Sequence, residues 1–167
     1  MEYWISLGSN EEPRLWYLRK AVELISEVCK IEKISSLYES EAWGFEGYPF
    51  LNVCLKVESD LPPRTLFMFF KRIEKFLGRE ERRDYAFRFG RSYSSRPIDI
   101  DIIFWEGGIW EEEELKIPHP LAHKRKFILI PILEIEDIIH PLLRQRISEI
   151  LEELEDTSWI EKVGRLF

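Results

Sequence analysis

The chain has few of the residues that would make it a stapled, fibrous or membrane protein. Its 167 residues include only two cysteines, too few for a disulfide framework. Cys29 and Cys54 lie in apolar stretches and read as small buried thiols of a reducing compartment. The longest unbroken apolar run, Phe127 to Leu133, falls far short of the ~20 residues that a membrane helix needs. Met1-Glu2-Tyr3-Trp4 offers neither a basic n-region nor an apolar h-region, so no secretory signal is expected and the cytoplasm is the expected location. There is no P-loop, no dinucleotide-binding glycine fingerprint, no repeat and no linker. What is present suits one folded domain spanning residues 1–167, with 45% hydrophobic and 33% charged residues.

Charge is distributed unevenly. The net charge is −7, yet residues 79–96 carry six arginines (79, 82, 83, 88, 91, 96) against three acids. That segment is +3, so the other 149 residues sum to −10. An acidic body with one arginine-rich segment lacks the broad basic face that nucleic acid requires, and suits one small polyanion instead.

Hydrophobic periodicity outlines the elements. Residues 2–7 read as a strand, and Leu15, Leu18, Val22, Ile25 and Cys29 form a helical stripe behind Pro13. Ile31–Glu39 reads as a second strand. Phe50–Val57 alternates, with Leu51, Val53, Leu55 and Val57 on one face and Phe50, Asn52, Cys54 and Lys56 on the other. A second helix opens at Pro62-Pro63, carries Leu66, Phe69, Phe70, Ile73 and Leu77, and stops at Gly78. Pro97–Trp105 reads as a fourth strand, with Gly107-Gly108 turning a hairpin into Ile109-Trp110. Phe127–Ile132 reads as another short strand, and Ile147, Ile150, Leu151 and Leu154 as a last amphipathic helix. The expected fold is therefore α+β: a ferredoxin-like βαββαβ core, an antiparallel sheet with helices packed on it, plus C-terminal strand and helix additions.

The sharpest local pattern is Ile98-Asp99-Ile100-Asp101-Ile102. On a strand the isoleucines enter the core and both carboxylates share the opposite face, their Cα atoms ~6.5–7 Å apart. Like charges so placed need a cation between or above them, and hard oxygen ligands suit Mg²⁺ completed by substrate phosphates. The same pattern also fits a half-buried strand with a solvated acidic face. The neighbouring arginines favour phosphate, because guanidinium forks match its oxygens, although some could instead pair with Glu80, Glu81 and Asp84. Asn52 and Phe50 stand beyond a loop containing Trp43, Phe45 and Tyr48, where an amide beside aromatic planes suits a flat, hydrogen-bonding heterocycle. The alternative is aromatics plugging the open face of a small sheet. His119 and His123 lack the further ligands a zinc site needs, so a polar or phosphate-facing histidine is the better reading.

Several ordered motifs together resemble the 6-hydroxymethyl-7,8-dihydropterin pyrophosphokinases of folate biosynthesis. They are Leu7-Gly8-Ser9-Asn10, Ser36 to Gly44, Phe50-Leu51-Asn52, Ile73-Glu74, Leu77-Gly78-Arg79, Arg96-x-Ile98-Asp99-Ile100-Asp101-Ile102, Pro118-His119-Pro120 and Arg125-x-Phe127-Ile128-Leu129-x-Pro131. The resemblance implies an ATP-dependent pyrophosphokinase that transfers the β,γ-pyrophosphoryl group of ATP to the pterin hydroxymethyl oxygen and releases AMP. It implies that Asp99 and Asp101 bind two Mg²⁺ ions, and that Arg79 and Arg96 stabilise charge on the transferring group. It implies that Glu74, Arg79, Arg96, Ile102, His119 and Arg125 hold the nucleotide. Asn52, Phe127, Ser40, Ala42 and Trp43 would then form the pterin pocket. Departures from the family pattern are Tyr93-Ser94-Ser95 before Arg96 where Trp-Gly-Pro is usual, and Ala42 where proline is common. The segment from Arg79 to Arg96 is also longer than usual, and is expected to be mobile until both substrates close it. A non-catalytic ligand-binding module of the same fold explains the topology but not the aspartate pair beside the arginines. An RNA-binding domain is disfavoured by the −7 charge.

Overall fold

The computed structural model describes residues 1–42, 48–78 and 97–167. Strands β1 (Glu2–Ser9), β3 (Leu37–Ser40), β4 (Phe50–Glu58), β5 (Asp99–Trp105) and β8 (Ile160–Gly164) form one antiparallel sheet in the order β5-β1-β4-β3-β8. β2 (Lys30–Ile34) pairs with the far half of β4. Helices α1 (Arg14–Ile25) and α2 (Pro63–Phe76) each connect strands that are not neighbours, which is the ferredoxin-like order the sequence predicts. α3 (Lys126–Ile135) and α4 (Ile147–Glu153) follow, with a 3₁₀ turn over Ala122–Lys124 before α3.

The sheet separates two cores. On one face Ile5 and Leu7 of β1, Val53 and Leu55 of β4, and Ile100 and Ile102 of β5 pack against Leu18, Val22 and Ile25 of α1 and Leu66, Phe70 and Ile73 of α2. On the other face Trp4, Cys54, Ile103 and Phe104 meet Ile128, Leu129 and Ile132 of α3 and Ile147 and Ile150 of α4. A register shift between Trp4 and Ile5 in the β1–β5 ladder accompanies the burial of adjacent Ile103 and Phe104 in this second core. The α2 stripe and the stop at Gly78, with φ +95°, agree with the sequence reading.

Four local expectations are corrected. Phe127–Ile132 is helical: an apolar run has no period that separates a buried helix from a strand, and α3 even accommodates Pro131. Ile31–Glu39 is two strands, not one. The break at Ser35-Ser36 is held by side chains: the Cys54 amide donates to Ser35 Oγ at 2.9 Å and the Ser36 amide to Glu134 at 2.6 Å. The turn at Gly107-Gly108 does not return its chain to β5. β6 (Trp110–Glu111) pairs instead with β7 (Lys116–Ile117), the acids 112–114 forming the connection. Leu15 is exposed rather than part of the α1 stripe, whose buried members are Leu18, Ala21, Val22 and Ile25. Among the described residues no helix is long and apolar enough to cross a membrane.

Candidate active site

The second sheet face changes character along its length. Outward positions run Trp4, Ser6, Gly8 on β1, Cys54, Asn52, Phe50 on β4, and Phe104 or Ile103, Asp101, Asp99 on β5. Register aligns these changes: Ser6 lies opposite both Cys54 and Asp101, and Gly8 opposite both Asn52 and Asp99. Apolar side chains at one end are covered by α3 and α4, while the small and polar ones at the other end floor a cavity of about 140 Å³. Ser40 and Glu41 at the end of β3 form one wall of it; Arg125, Phe127 and Ile128 at the start of α3 form the opposite one.

Within the cavity the Asn52 amide is oriented by its neighbours. Its Nδ2 donates to Ser40 Oγ at 2.8 Å, and both residues are buried. A Cβ on Gly8 would come within 3.3 Å of Asn52 Oδ1 and 3.5 Å of the Phe50 ring, so the absent side chain leaves room for the amide oxygen. Arg125 lies 5.7 Å from the Phe127 ring centroid, a guanidinium over an aromatic face at the cavity edge. Asp99 and Asp101 are half-buried, on one face of β5, as their spacing requires.

Other elements hold this arrangement from outside. Glu74 of α2 is buried and accepts the Ile100 amide at 2.9 Å between the two aspartates, while Lys71 donates to its other oxygen at 3.0 Å. Arg14 at the start of α1 donates to Glu39 at 2.8 Å and to the Pro49 carbonyl at 2.9 Å, tying together both ends of the connection between β3 and β4. Glu134 accepts the Ser36 amide and the Tyr38 hydroxyl, tying the last turn of α3 to β3. Burial pushes the Glu134 carboxyl up, but those hydrogen bonds and Lys162 outweigh it and hold it below its ordinary value. His119 is pushed down to about 4, first by burial and then by Arg125, with Asp99 pulling the other way and Lys71 adding the smallest push. Its Nδ1 accepts the Leu121 amide at 3.1 Å, so the neutral ring presents Nε2–H.

The cavity thus brings together Asp99, Asp101, Asn52, Ser40, Arg125 and Phe127 of the residues singled out from sequence. Glu74, Ile102 and His119 do not line it: Glu74 sits beneath the β5 edge, Ile102 points into the first core, and His119 is placed by donating its amide to the Ile103 carbonyl. Ala42 is half-buried and does not line it either. Trp43, Arg79, Arg96 and the arginine-rich segment with its expected closure lie outside the described residues. Ser6, Gly8, Glu41 and Ile128 carried no role in the sequence reading. The shrinking outward positions of β1, from Trp4 to Gly8, were the available signal for the first two.

An antiparallel α+β sandwich with a carboxylate pair facing an amide–hydroxyl pair across one small cavity has the form of an enzyme that joins two polar substrates. The comparisons make this specific. A model described as 7,8-dihydro-6-hydroxymethylpterin-pyrophosphokinase (HPPK) matches residues 4–137. A 2-amino-4-hydroxy-6-hydroxymethyldihydropteridine pyrophosphokinase of Aquifex aeolicus is 43% identical over 152 residues, which cover 90% of each chain. One from Porphyromonas gingivalis is 34% identical, covering 83% of this chain and 92% of that one. In fold, the wild-type Plasmodium falciparum HPPK-DHPS structure with SDX-DHP is similar at a TM-score of 0.67 and 16% identity, over 91% of this chain and 43% of that one. The chain belongs to the 7,8-dihydro-6-hydroxymethylpterin-pyrophosphokinase family.

Proposed function

We propose that this chain transfers the β,γ-pyrophosphoryl group of ATP to the hydroxymethyl oxygen of 6-hydroxymethyl-7,8-dihydropterin, releasing AMP, and that the cavity over β1, β4 and β5 is where the transfer occurs. The observation that carries the reading is the placement of Asp99 and Asp101 in the same cavity as the Asn52–Ser40 pair. One group suits a metal-bound polyphosphate and the other the edge of a heterocycle, so donor and acceptor substrates meet there.

Each side chain has a defined task. Asn52, fixed by Ser40, directs an amide oxygen into the cavity as an acceptor for pterin N–H groups, with the Phe127 and Phe50 rings as faces for the bicycle. Arg125 is a permanent cation for phosphate oxygens. The neutral His119 ring, which lies off the cavity, is assigned to the nucleotide by family likeness alone. Asp99 and Asp101 would hold Mg²⁺, two ions with the nucleotide. Two carboxylates, rather than a cage of three or more, fit a cation that keeps water and phosphate in its shell, and no larger His, Cys, Asp and Glu cluster occurs among the described residues. Bound there, magnesium would supply neutralisation of the triphosphate charge. Glu74 acts from behind by fixing the backbone between the two aspartates. Arg79 and Arg96 are assigned to the transferring phosphates, Glu74 and Ile102 to the nucleotide, and Ala42 and Trp43 to the pterin, by family likeness alone.

Catalysis on this reading is positioning plus electrostatics, because phosphoryl transfer asks little covalent chemistry of a protein. Incubation with Mg-ATP and the hydroxymethyl dihydropterin is expected to produce AMP and the pterin diphosphate in equal amounts. ADP as the nucleotide product would instead make the chain an ordinary kinase.

A further inference from the structure

The family match ends at residue 137, but two walls of the cavity are tied by chain beyond it. The wall carrying Arg125 and Phe127 is the first turn of α3. That turn has no capping side chain at Arg125, no acidic residue, and two cations, Arg125 and Lys126, at the positive end of the helix. Left to itself it is a poorly terminated helix start, because exposed N–H groups and the macrodipole both call for an acceptor or a negative charge. Asp156 meets that need from 30 residues away: its Oδ2 accepts the Lys126 amide at 3.3 Å. Its other oxygen accepts the Ser158 amide at 2.9 Å and the Ser158 hydroxyl at 2.5 Å, which sets the carboxylate's direction. Burial raises the proton affinity of Asp156, but these donors and Lys126 overcome that and keep it ionised.

The next residues grip the opposite wall. The Trp159 amide donates to Glu41 Oε1 at 3.1 Å, and Ile160 to Gly164 form β8 along β3, with Ile160 opposite Ser40. Five consecutive residues therefore touch the Arg125–Phe127 wall at one end and the Ser40–Glu41 wall at the other.

We propose that Asp156–Ile160 is a strap that positions the two walls of the pterin subsite against each other, with Asp156 as a positioning residue for Phe127 and Arg125. Asp156 acts through the α3 backbone and does not line the cavity. The strap rests on the assignment of this cavity to the pterin. Its loss loosens the distance between the stacking ring and the Asn52–Ser40 pair, whereas the aspartates on β5 are held separately by Glu74.

The test compares the full chain with Asp156→Ala, Asp156→Asn and Ser158→Ala. Pterin affinity is measured with Mg²⁺ and saturating α,β-methylene ATP, which lacks the bond that transfer would break, and affinity for that analogue is measured alone. Asp156→Ala is expected to weaken pterin binding about tenfold, the scale of a lost helix cap. The analogue, whose phosphates Arg125 also meets, should weaken by clearly less, about threefold. Asp156→Asn, which keeps one acceptor oxygen, and Ser158→Ala, which only frees the carboxylate to turn, should fall between. In turnover the pterin KM rises more than the ATP KM. Unchanged pterin affinity in Asp156→Ala, or equal weakening of both ligands, overturns the strap. Failure of the unaltered chain to bind the pterin overturns the cavity assignment instead.

Discussion

The two ends of a single sheet face make different uses of the same three strands. At one end Trp4, Cys54, Ile103 and Phe104 are buried under α3 and α4; at the other Gly8, Asn52, Asp99 and Asp101 are left open to a cavity. The distance between them is only two to five residues along each strand. Apolar surface covered by helices stabilises the fold, whereas uncovered polar groups are available to a ligand but contribute little to stability. α3 serves both ends, since Ile128, Leu129 and Ile132 bury the apolar end while Arg125 and Phe127 reach over the polar one.

Substitutions at each end should separate activity from stability. The largest effect is expected from Asp101→Ala, with turnover lost by about a thousandfold or more, as for removal of a principal electrostatic group. Its thermal midpoint should stay within a few degrees of the parent; turnover retained in Mg²⁺ would refute the metal assignment. At the apolar end, Phe104→Ala should cost about 3–5 kcal/mol in urea unfolding and leave kcat per folded molecule near the parent value. A smaller loss would mean that the second core closes around the gap.

Next in size is Gly8→Ala, which places a methyl 3.3 Å from Asn52 Oδ1 and is expected to raise the pterin KM about tenfold. Pre-steady-state binding of nucleotide alone should be unaffected, and a parallel loss of nucleotide affinity would argue that the floor as a whole has moved. The smallest effect is a pH dependence. His119 is held down at about 4, chiefly by burial, and burial also lowers His140, whose Nδ1 accepts the Leu142 and Leu143 amides. Both folded values lie below the unfolded value near 6.5, so the unfolded chain takes up protons first on acidification. Stability is therefore present above pH ~6.5 and lost progressively below it, for His119 down to its folded value of about 4. Urea titrations at pH 7.5 and 5 should show this slope, and His119→Asn should flatten it; an identical slope in the variant would locate the titrating group elsewhere.

Much of this contrast was legible in the chain. The alternation of Phe50–Val57 separated the core stripe from the face with Asn52, and the spacing of Asp99 and Asp101 put both carboxylates on one side of β5. Both follow from the two-residue period of a strand, which is a local property. Phe127–Ile132 was misread for the converse reason: α3 is buried along so much of its surface that no polar face marks its period. The family resemblance gave Glu74 to the nucleotide, and only its approach to the Ile100 amide shows that it closes the β5 edge.

By itself the sequence determined the strand and helix order, the faces of β4 and β5 and, through its ordered motifs, the family. Each of those depends on residues close together in the chain or on a pattern repeated among relatives. Only the tertiary structure decided that Gly8 lies between Asn52 and Asp99, that the α3 helix roofs one end of the face and leaves the other open, and that Asp156 caps a helix 30 residues before it. Those are pairings across the sheet and between layers. They are set by register and by which apolar surfaces find one another, and no local spacing encodes them.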